Sequence, residues 1–204
     1  KLANGGPATT ERTRAVFEES RQIRQYSIVE APAIRLDVPS IQHLNGMQVE
    51  VIDPVVDYAD LMEQLFDFAA IRSLLVLGKF TMRFDAMHGV SGPYATEIFE
   101  NRIGATGSVM NAVPQQDFGG LHPDPNLVHA SSLVDIMYDG NDGNDGNDGN
   151  GGSRIDFGAA CDGDGDRSMI LGSHFFVSPS DSLAILCANA QLIPAYSSGL
   201  LGVA

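Results

Sequence analysis

The sequence predicts an α/β fold: a three-layer α/β/α domain with a mixed, mostly parallel sheet. Segments of strand and helix character alternate along most of the chain, and the last two strand segments are close enough in sequence to form a hairpin. Alternation of this kind is typical of layered domains whose helices cover both faces of a sheet. The hairpin makes the sheet mixed, because strands joined by a tight turn pair antiparallel.

Each element is predicted from hydrophobic period and flanking residues. Helices are predicted over 9–26, 58–68, 69–77, 93–103 and 127–138, and strands over 49–52, 81–86, 108–113, 155–161, 169–171 and 175–177. A final helix begins at Pro179, since Ser178 can cap it and Asp181 suits the positive end of its dipole. The stretch 31–46 is rich in proline and has no clear period, so it is predicted to be a connector.

The composition excludes two classes of partner. The 204 residues carry a net charge of −14 without any cluster of Lys and Arg, which disfavours nucleic acids and anionic membranes. No apolar stretch reaches the ~20 residues needed to cross a bilayer. Small phosphorylated ligands are not excluded, because one arginine or a bound metal can reverse the field in a cleft. Cys161 and Cys187 lie in apolar runs and are expected to be reduced, buried thiols of a cytosolic protein.

Residues 139–152 form a repeat of Asp, Gly and Asn that has no apolar side chain. Burial cannot offset the entropy of ordering it, so we interpret it as a flexible surface insertion. A calcium site is the alternative, but a loop of the EF-hand type starting at Asp139 or Asp142 would have glycine at its fifth position.

The strongest chemical signal is Asp162-Gly-Asp-Gly-Asp-Arg167, directly after a predicted strand. In extended backbone alternate side chains point to one side, so the carboxylates of Asp162, Asp164 and Asp166 should converge. Their oxygens suit Mg²⁺, and like charges crowd together unfavourably without a cation. A solvated acidic turn is the alternative. Arg167 has a planar fork suited to phosphate oxygens.

Other site templates are absent from the sequence, including a Walker loop, a dinucleotide-binding glycine motif, a zinc-protease motif and a nucleophile elbow. His88, His122 and His174 lie beside Gly, Pro or Phe in stretches typical of turns. We therefore expect these histidines to be loop residues rather than metal ligands.

Several stretches together resemble one family. They are Asp162–Arg167, Asp85–Val90 with Gly92-Pro-Tyr94, Asp117–Gly120, His122–Leu127, Phe157–Ala160 and Phe175–Ser182. They resemble the α-D-phosphohexomutase superfamily, and within it the phosphoglucomutases rather than the phosphomannomutases. Asn4–Ala8 resembles the stretch after the serine loop of those enzymes. The resemblance covers nearly the whole chain, with 139–152 as the main departure.

The resemblance implies an enzyme of the isomerase class that acts in glucose metabolism in the cytoplasm. A phosphoserine coordinated to Mg²⁺ would donate its phosphoryl group to a glucose phosphate, with glucose 1,6-bisphosphate as intermediate. By motif match Asp162, Asp164 and Asp166 would hold Mg²⁺, and Arg167 would contact the sugar phosphate. Sugar phosphates and the other domains of the same enzyme are the implied partners.

Three family motifs do not occur in the chain: Thr-Ala-Ser-His-Asn-Pro, Gly-Glu-Glu-Ser and Arg-x-Ser-Gly-Thr. We therefore expect an internal fragment centred on the metal-binding second domain, without a catalytic nucleophile and inactive alone. Residues 1–46 would be the helical tail of the serine-loop domain with its connector, 47–194 the metal-binding domain, and 195–204 a link to the next domain. The alternative is a non-catalytic relative that acts as a scaffold, for which clustered carboxylates have no obvious use.

Overall fold

The computed structural model describes residues 2–3, 6–28, 30–78, 80–139 and 155–199. The predicted insertion 139–152 lies outside the described residues except for Asp139. The chain divides into two compact units, Lys1–Ile52 and Asp53–Ala204. Among the described residues no helix is long and apolar enough to cross a membrane.

The first unit contains one helix and one hairpin. Helix α1 spans Thr10–Ser20, and the side chain of Thr9 caps it by accepting a hydrogen bond from the backbone N–H of Arg12. Strands β1, Ser40–Leu44, and β2, Met47–Val51, pair antiparallel. The prediction of a connector over 31–46 is wrong for β1, where an Asn-Gly turn with two positive φ angles reverses the chain. Because β2 pairs with β1, the units divide after residue 52 rather than after 46.

The second unit contains five helices and a five-stranded sheet among its described residues. The helices are α2 Pro54–Leu65, α3 Phe68–Val76, α4 Ser91–Ala95, α5 Ser131–Asp139 and α6 Pro179–Asn189, and a π-helical segment, Thr96–Arg102, continues α4. The strands are β3 Met82–Asp85, β4 Val109–Met110, β5 Phe157–Cys161, β6 Ser168–Gly172 and β7 Phe175–Val177. Short 3-10 turns span Phe118–Gly120, Ala190–Leu192 and Pro194–Tyr196.

The sheet is mixed, as predicted. Its order is β4-β3-β5-β6-β7. Strand β3 is parallel to both β4 and β5, while β6 is antiparallel to β5 and β7. Four of the five strands therefore run in one direction, and only β6 is reversed.

Helical segments cover both faces of the sheet, which confirms the three-layer prediction. On one face α5 packs so closely that a Cβ atom added to Gly158 would lie 2.8 Å from the sulfur of Met137. Leu133 and Met137 of this helix join a buried cluster with Met169 and Leu171 of β6. On the other face the ring of Phe84 in β3 meets the ring of Phe99 in the π-helical segment, with 5.6 Å between centroids.

Some element boundaries differ from the prediction. Helix α2 begins at Pro54 instead of residue 58, because Asp53 caps it by accepting a hydrogen bond from the backbone N–H of Val55. The strand predicted over 108–113 is limited to Val109–Met110. Helix α6 begins as predicted, and the Ser178 hydroxyl oxygen accepts a hydrogen bond from the backbone N–H of Asp181.

Candidate metal centre

The aspartate loop, residues 162–167, lies at an edge of the sheet where three strands end. Strands β3, β4 and β5 are parallel, so their carboxyl ends share this edge. The segment 85–90 follows β3, Asn111 follows β4, and the aspartate loop follows β5. Ligand sites of open α/β sheets are typically found at the carboxyl ends of strands.

The three carboxylates of the aspartate loop converge as expected, but for a different reason. One carboxylate oxygen each from Asp162, Asp164 and Asp166 lies within 4.8 Å of the others. The loop is not extended: it joins the antiparallel strands β5 and β6. The Asp162 N–H donates to the Arg167 carbonyl oxygen at 3.2 Å, and Gly165 adopts a φ of 78°. A tight turn therefore gathers the side chains, rather than the alternation of a strand.

The three aspartates differ in environment. Asp162 is 1% exposed, whereas Asp164 and Asp166 are exposed. Burial raises the pKa of Asp162, but hydrogen bonds from the backbone and side chain of Arg167 outweigh it, and the pKa is lowered overall. The pKa of Asp164 is raised because its carboxyl shares a hydrogen bond with Asp162 and faces the charge of Asp166. The loop thus concentrates negative charge that a cation would relieve.

Arg167 bridges two carboxylates. Its backbone N–H donates to Oδ1 of Asp162 at 3.0 Å, and its Nε donates to Oδ2 of the same residue at 2.9 Å. Its Nη1 lies 2.6 Å from Oδ1 of Asp124. The role of Asp124 was not predicted, although it lies within the stretch His122–Leu127 that carries part of the family resemblance. The guanidinium group remains well exposed, with 61% of the side chain accessible.

A strained turn after β3 supports the aspartate loop. Met87 and His88 have positive φ angles of 48° and 55°. The buried Asp85 holds this turn, because its Oδ1 accepts hydrogen bonds from the Met87 N–H and the Asn111 side chain, both at 2.8 Å. The next residue, Gly89, touches the aspartate loop directly. A Cβ atom there would lie 2.8 Å from the carbonyl oxygen of Gly163.

Two further segments close on the same glycine of the loop. A Cβ atom at Gly163 would lie 2.8 Å from the ring of Phe118 and 3.3 Å from Pro123. The Gly163 N–H donates to the Pro123 carbonyl oxygen at 3.3 Å, and the Val90 N–H donates to the Gly163 carbonyl oxygen at 3.0 Å. Stretches that are far apart in sequence therefore meet at the aspartate loop through backbone contacts.

The donor set fits a small hard cation. All three side chains offer carboxylate oxygens, and two of them are open to solvent. Mg²⁺ is bound in this way, by a few carboxylates with the remaining positions left to water or a phosphate.

Comparison with known proteins identifies the family. The model of the phosphoglucomutase/phosphomannomutase α/β/α domain II matches residues 56–174, more than half of the chain. The chain belongs to this family. The matched region contains the aspartate loop and the segments packed around it.

Curated relatives match over the whole chain. It is 52% identical over 204 residues to a phosphoglucomutase of Rhizobium radiobacter, and 47% identical over 210 residues to a probable cytoplasmic phosphoglucomutase of Arabidopsis thaliana. Each match covers 100% of this chain and 35% of the relative. The chain therefore spans about a third of the length of these relatives and corresponds to part of such an enzyme.

Solved structures agree with the family assignment. The open form of pp63/parafusin, a phosphoglucomutase from Paramecium, superposes with a TM-score of 0.81 at 42% identity, over 97% of this chain and 35% of that one. A phosphomannomutase from Thermus thermophilus, at 19% identity and a TM-score of 0.52 over 68% of this chain and 29% of that one, shares the fold.

Proposed function

We propose that the protein containing this chain is a phosphoglucomutase, which interconverts glucose 1-phosphate and glucose 6-phosphate through glucose 1,6-bisphosphate. The observation that carries the proposal is the converged aspartate loop with Arg167, in a chain 52% identical to a protein named phosphoglucomutase. The 204 residues contain no serine-loop motif, so the phosphoserine would come from a part of the protein outside them. The other domains of the enzyme and sugar phosphates are then the partners of this unit.

In this proposal Asp162, Asp164 and Asp166 hold Mg²⁺. The metal, when bound, neutralises charge on the transferring phosphoryl group. The contribution of the chain is to fix the position of the carboxylates. Asp162 is immobilised by burial and by Arg167, while the two exposed aspartates lie toward solvent, from which a substrate would arrive.

Arg167 is the proposed contact for a phosphate of the substrate. Two of its nitrogens already engage Asp162 and Asp124, so the side chain is oriented before any substrate binds. Pre-orientation lowers the entropy lost on binding. An exposed guanidinium fork beside three carboxylates also provides the local positive charge that a protein with net charge −14 needs to attract a phosphate.

The test is turnover of the longer protein carrying Asp164→Asn, with saturating Mg²⁺. Asp164 is exposed, so the variant should fold normally while its kcat falls by several orders of magnitude. Asp135→Asn is the matched control, because Asp135 is an exposed aspartate of α5 away from the loop. Near-normal turnover of Asp164→Asn would contradict the assignment of the metal site.

We also propose that the protein is cytoplasmic. Relatives named as cytoplasmic phosphoglucomutases from Arabidopsis thaliana and Zea mays support this proposal, although relatives from Marchantia polymorpha and Arabidopsis thaliana are named chloroplastic. Imaging of the tagged full-length protein in its own cells would test it, and retention within an organelle would contradict it.

A further inference from the structure

We infer that His122, Asp124 and His129 form a second metal site, suited to a transition ion such as Zn²⁺ and distinct from the aspartate loop. One ligand atom from each residue lies within 4.8 Å of the others. Ligand atoms around a tetrahedral metal are separated by somewhat less than this, so small side-chain rotations would complete the site. The sequence analysis interpreted His122 as an ordinary loop residue because it could not show that His129 folds back beside it.

The loop between the two histidines is constructed to hold them together. Pro123 and Pro125 restrict its backbone. The side-chain oxygen of Asn126 accepts hydrogen bonds from the backbone N–H groups of Val128 and His129, each at 2.9 Å. The amide nitrogen of the same side chain donates to Oδ2 of Asp124 at 2.9 Å. Asn126 thus turns the chain back and orients the carboxylate, as outer groups around metal sites commonly do.

The two imidazole rings are available as ligands. They stack with their centroids 4.3 Å apart and their planes 10° apart. Within the described part of the chain, their ring nitrogens make no hydrogen bonds. A metal lies in the plane of each imidazole that binds it, so one ring must rotate out of the stack. Both histidines are exposed and the terminal torsion of histidine is soft, so little opposes this rotation.

The donor set favours a transition ion over Mg²⁺. Two imidazoles and one carboxylate suit Zn²⁺, which often takes three protein ligands and leaves one position for water, whereas Mg²⁺ prefers oxygen ligands alone. The chain therefore presents an oxygen-only site and a mixed nitrogen and oxygen site side by side.

Arg167 connects the two sites, since it contacts Asp124 and Asp162. A metal bound to Asp124 would withdraw charge from that carboxylate and weaken its ion pair with Arg167. Bound Zn²⁺ should therefore change the orientation of Arg167. An effect on sugar phosphate binding rests on the proposed function, whereas the site itself does not.

The test is calorimetric titration of the 204-residue chain with Zn²⁺ in excess Mg²⁺, with Co²⁺ absorption as a second readout. We expect binding of one ion, weakened at least about tenfold in His122→Gln and in His129→Gln. His43→Gln is the matched control, because His43 is an exposed histidine of β1 in the other unit, and it should leave binding unchanged. Circular dichroism confirms that each variant folds.

Two results would overturn the inference. One is Zn²⁺ binding that is unaltered in folded His122→Gln and His129→Gln chains, or absent from the unmodified chain. The other is Zn²⁺ binding that Asp164→Asn weakens as much as His129→Gln does, which would place the ion at the aspartate loop. Neither result depends on mutase activity, so the inference can fail while the proposed function stands, and the reverse.

Discussion

At the scale of single residues, the candidate site depends on close backbone packing more than on its charged side chains. Four non-glycine residues with positive φ, Met87, His88, Asn111 and Phe118, lie in segments that surround the aspartate loop. Strained residues of this kind persist where neighbouring contacts enforce them, and they are common near functional sites. The stretches that carry the family resemblance are therefore largely those that shape the loop.

The first prediction is that Gly89→Ala weakens Mg²⁺ binding by the chain and lowers its free energy of unfolding by roughly 1–3 kcal/mol. The added Cβ atom would lie 2.8 Å from the carbonyl oxygen and 2.9 Å from the Cα atom of Gly163, so the aspartate loop must move. Calorimetric Mg²⁺ titration and urea unfolding measure the two effects.

Gly172→Ala is the matched control for this prediction. Its Cβ atom would meet its nearest neighbour, Cβ of Phe175, at an ordinary 3.7 Å. The contribution of packing at Gly89 would be refuted if both alanine variants bound Mg²⁺ equally well.

The sequence could predict the aspartates and Arg167 because they are contiguous, but it could not predict contacts between distant stretches. Asp124 and Arg167 are 43 residues apart, and their contact depends on how two loops meet at one sheet edge. The same limitation hid the pairing of His122 with His129, although both were visible as histidines.

At the scale of elements, prediction succeeded where capping and period agreed and failed where pairing partners were needed. Helix α6 and the strands β6 and β7 follow directly from Ser178, Pro179 and two short apolar runs. Strand β1 was missed because its exposed residues alternate with only half-buried ones. The Asn45-Gly46 dipeptide was the available signal for a hairpin.

Hydrogen exchange should differ between the two units. None of the described residues between 2 and 52 is buried, whereas β3 and β5 contain buried residues and occupy the inner part of the sheet. We expect amides of α1 and of the β1–β2 hairpin to exchange much faster than those of β3 and β5, because a segment without buried contacts opens at low cost. Equal protection in both units, measured by mass spectrometry on the chain, would refute this expectation.

An ion-pair network joins α2 to the π-helical segment and should make stability depend on pH. Arg102 lies 2.9 Å from Glu97, 2.7 Å from Asp60 and 3.1 Å from Glu63. Hydrogen bonds from Asn101 and Arg102 lower the pKa of Glu97. A carboxyl whose pKa is lower in the folded state adds stability above its unfolded pKa of about 4.3, and this contribution disappears as pH falls through the folded value.

We therefore predict that Glu97→Gln lowers the free energy of unfolding by about 1 kcal/mol at pH 7. The difference between the variant and the parent chain should shrink as pH falls below about 4, where Glu97 is protonated in both states. Urea unfolding at a series of pH values measures this. Glu50→Gln, at an exposed position of β2, is the control and should cause little change at any pH. A deficit for Glu97→Gln that is independent of pH would show that charge at this position is irrelevant.

At the scale of the whole molecule, the chain supplies one part of a larger machine. It spans about a third of the length of its curated relatives. Phosphoryl transfer requires a nucleophile, a metal and clamps on the substrate held together with high precision. This chain provides three aspartates and Arg167 for that purpose. Apolar side chains such as Leu183, Ile185 and Leu186 of α6 are exposed, as expected for surfaces that neighbouring parts of an enzyme would cover.

The last prediction is that the purified 204-residue chain does not convert glucose 1-phosphate to glucose 6-phosphate, even with Mg²⁺ and glucose 1,6-bisphosphate present. The sequence contains none of the three family motifs for the serine loop, the sugar and the distal phosphate. Without a phosphoserine the aspartate loop has no group to assist. A coupled dehydrogenase assay measures conversion, and the Asp164→Asn chain, purified identically, reports contaminating host enzyme. If the unmodified chain exceeded that variant reproducibly, a group within these residues would have to act as the nucleophile, and the proposed division of labour would be wrong.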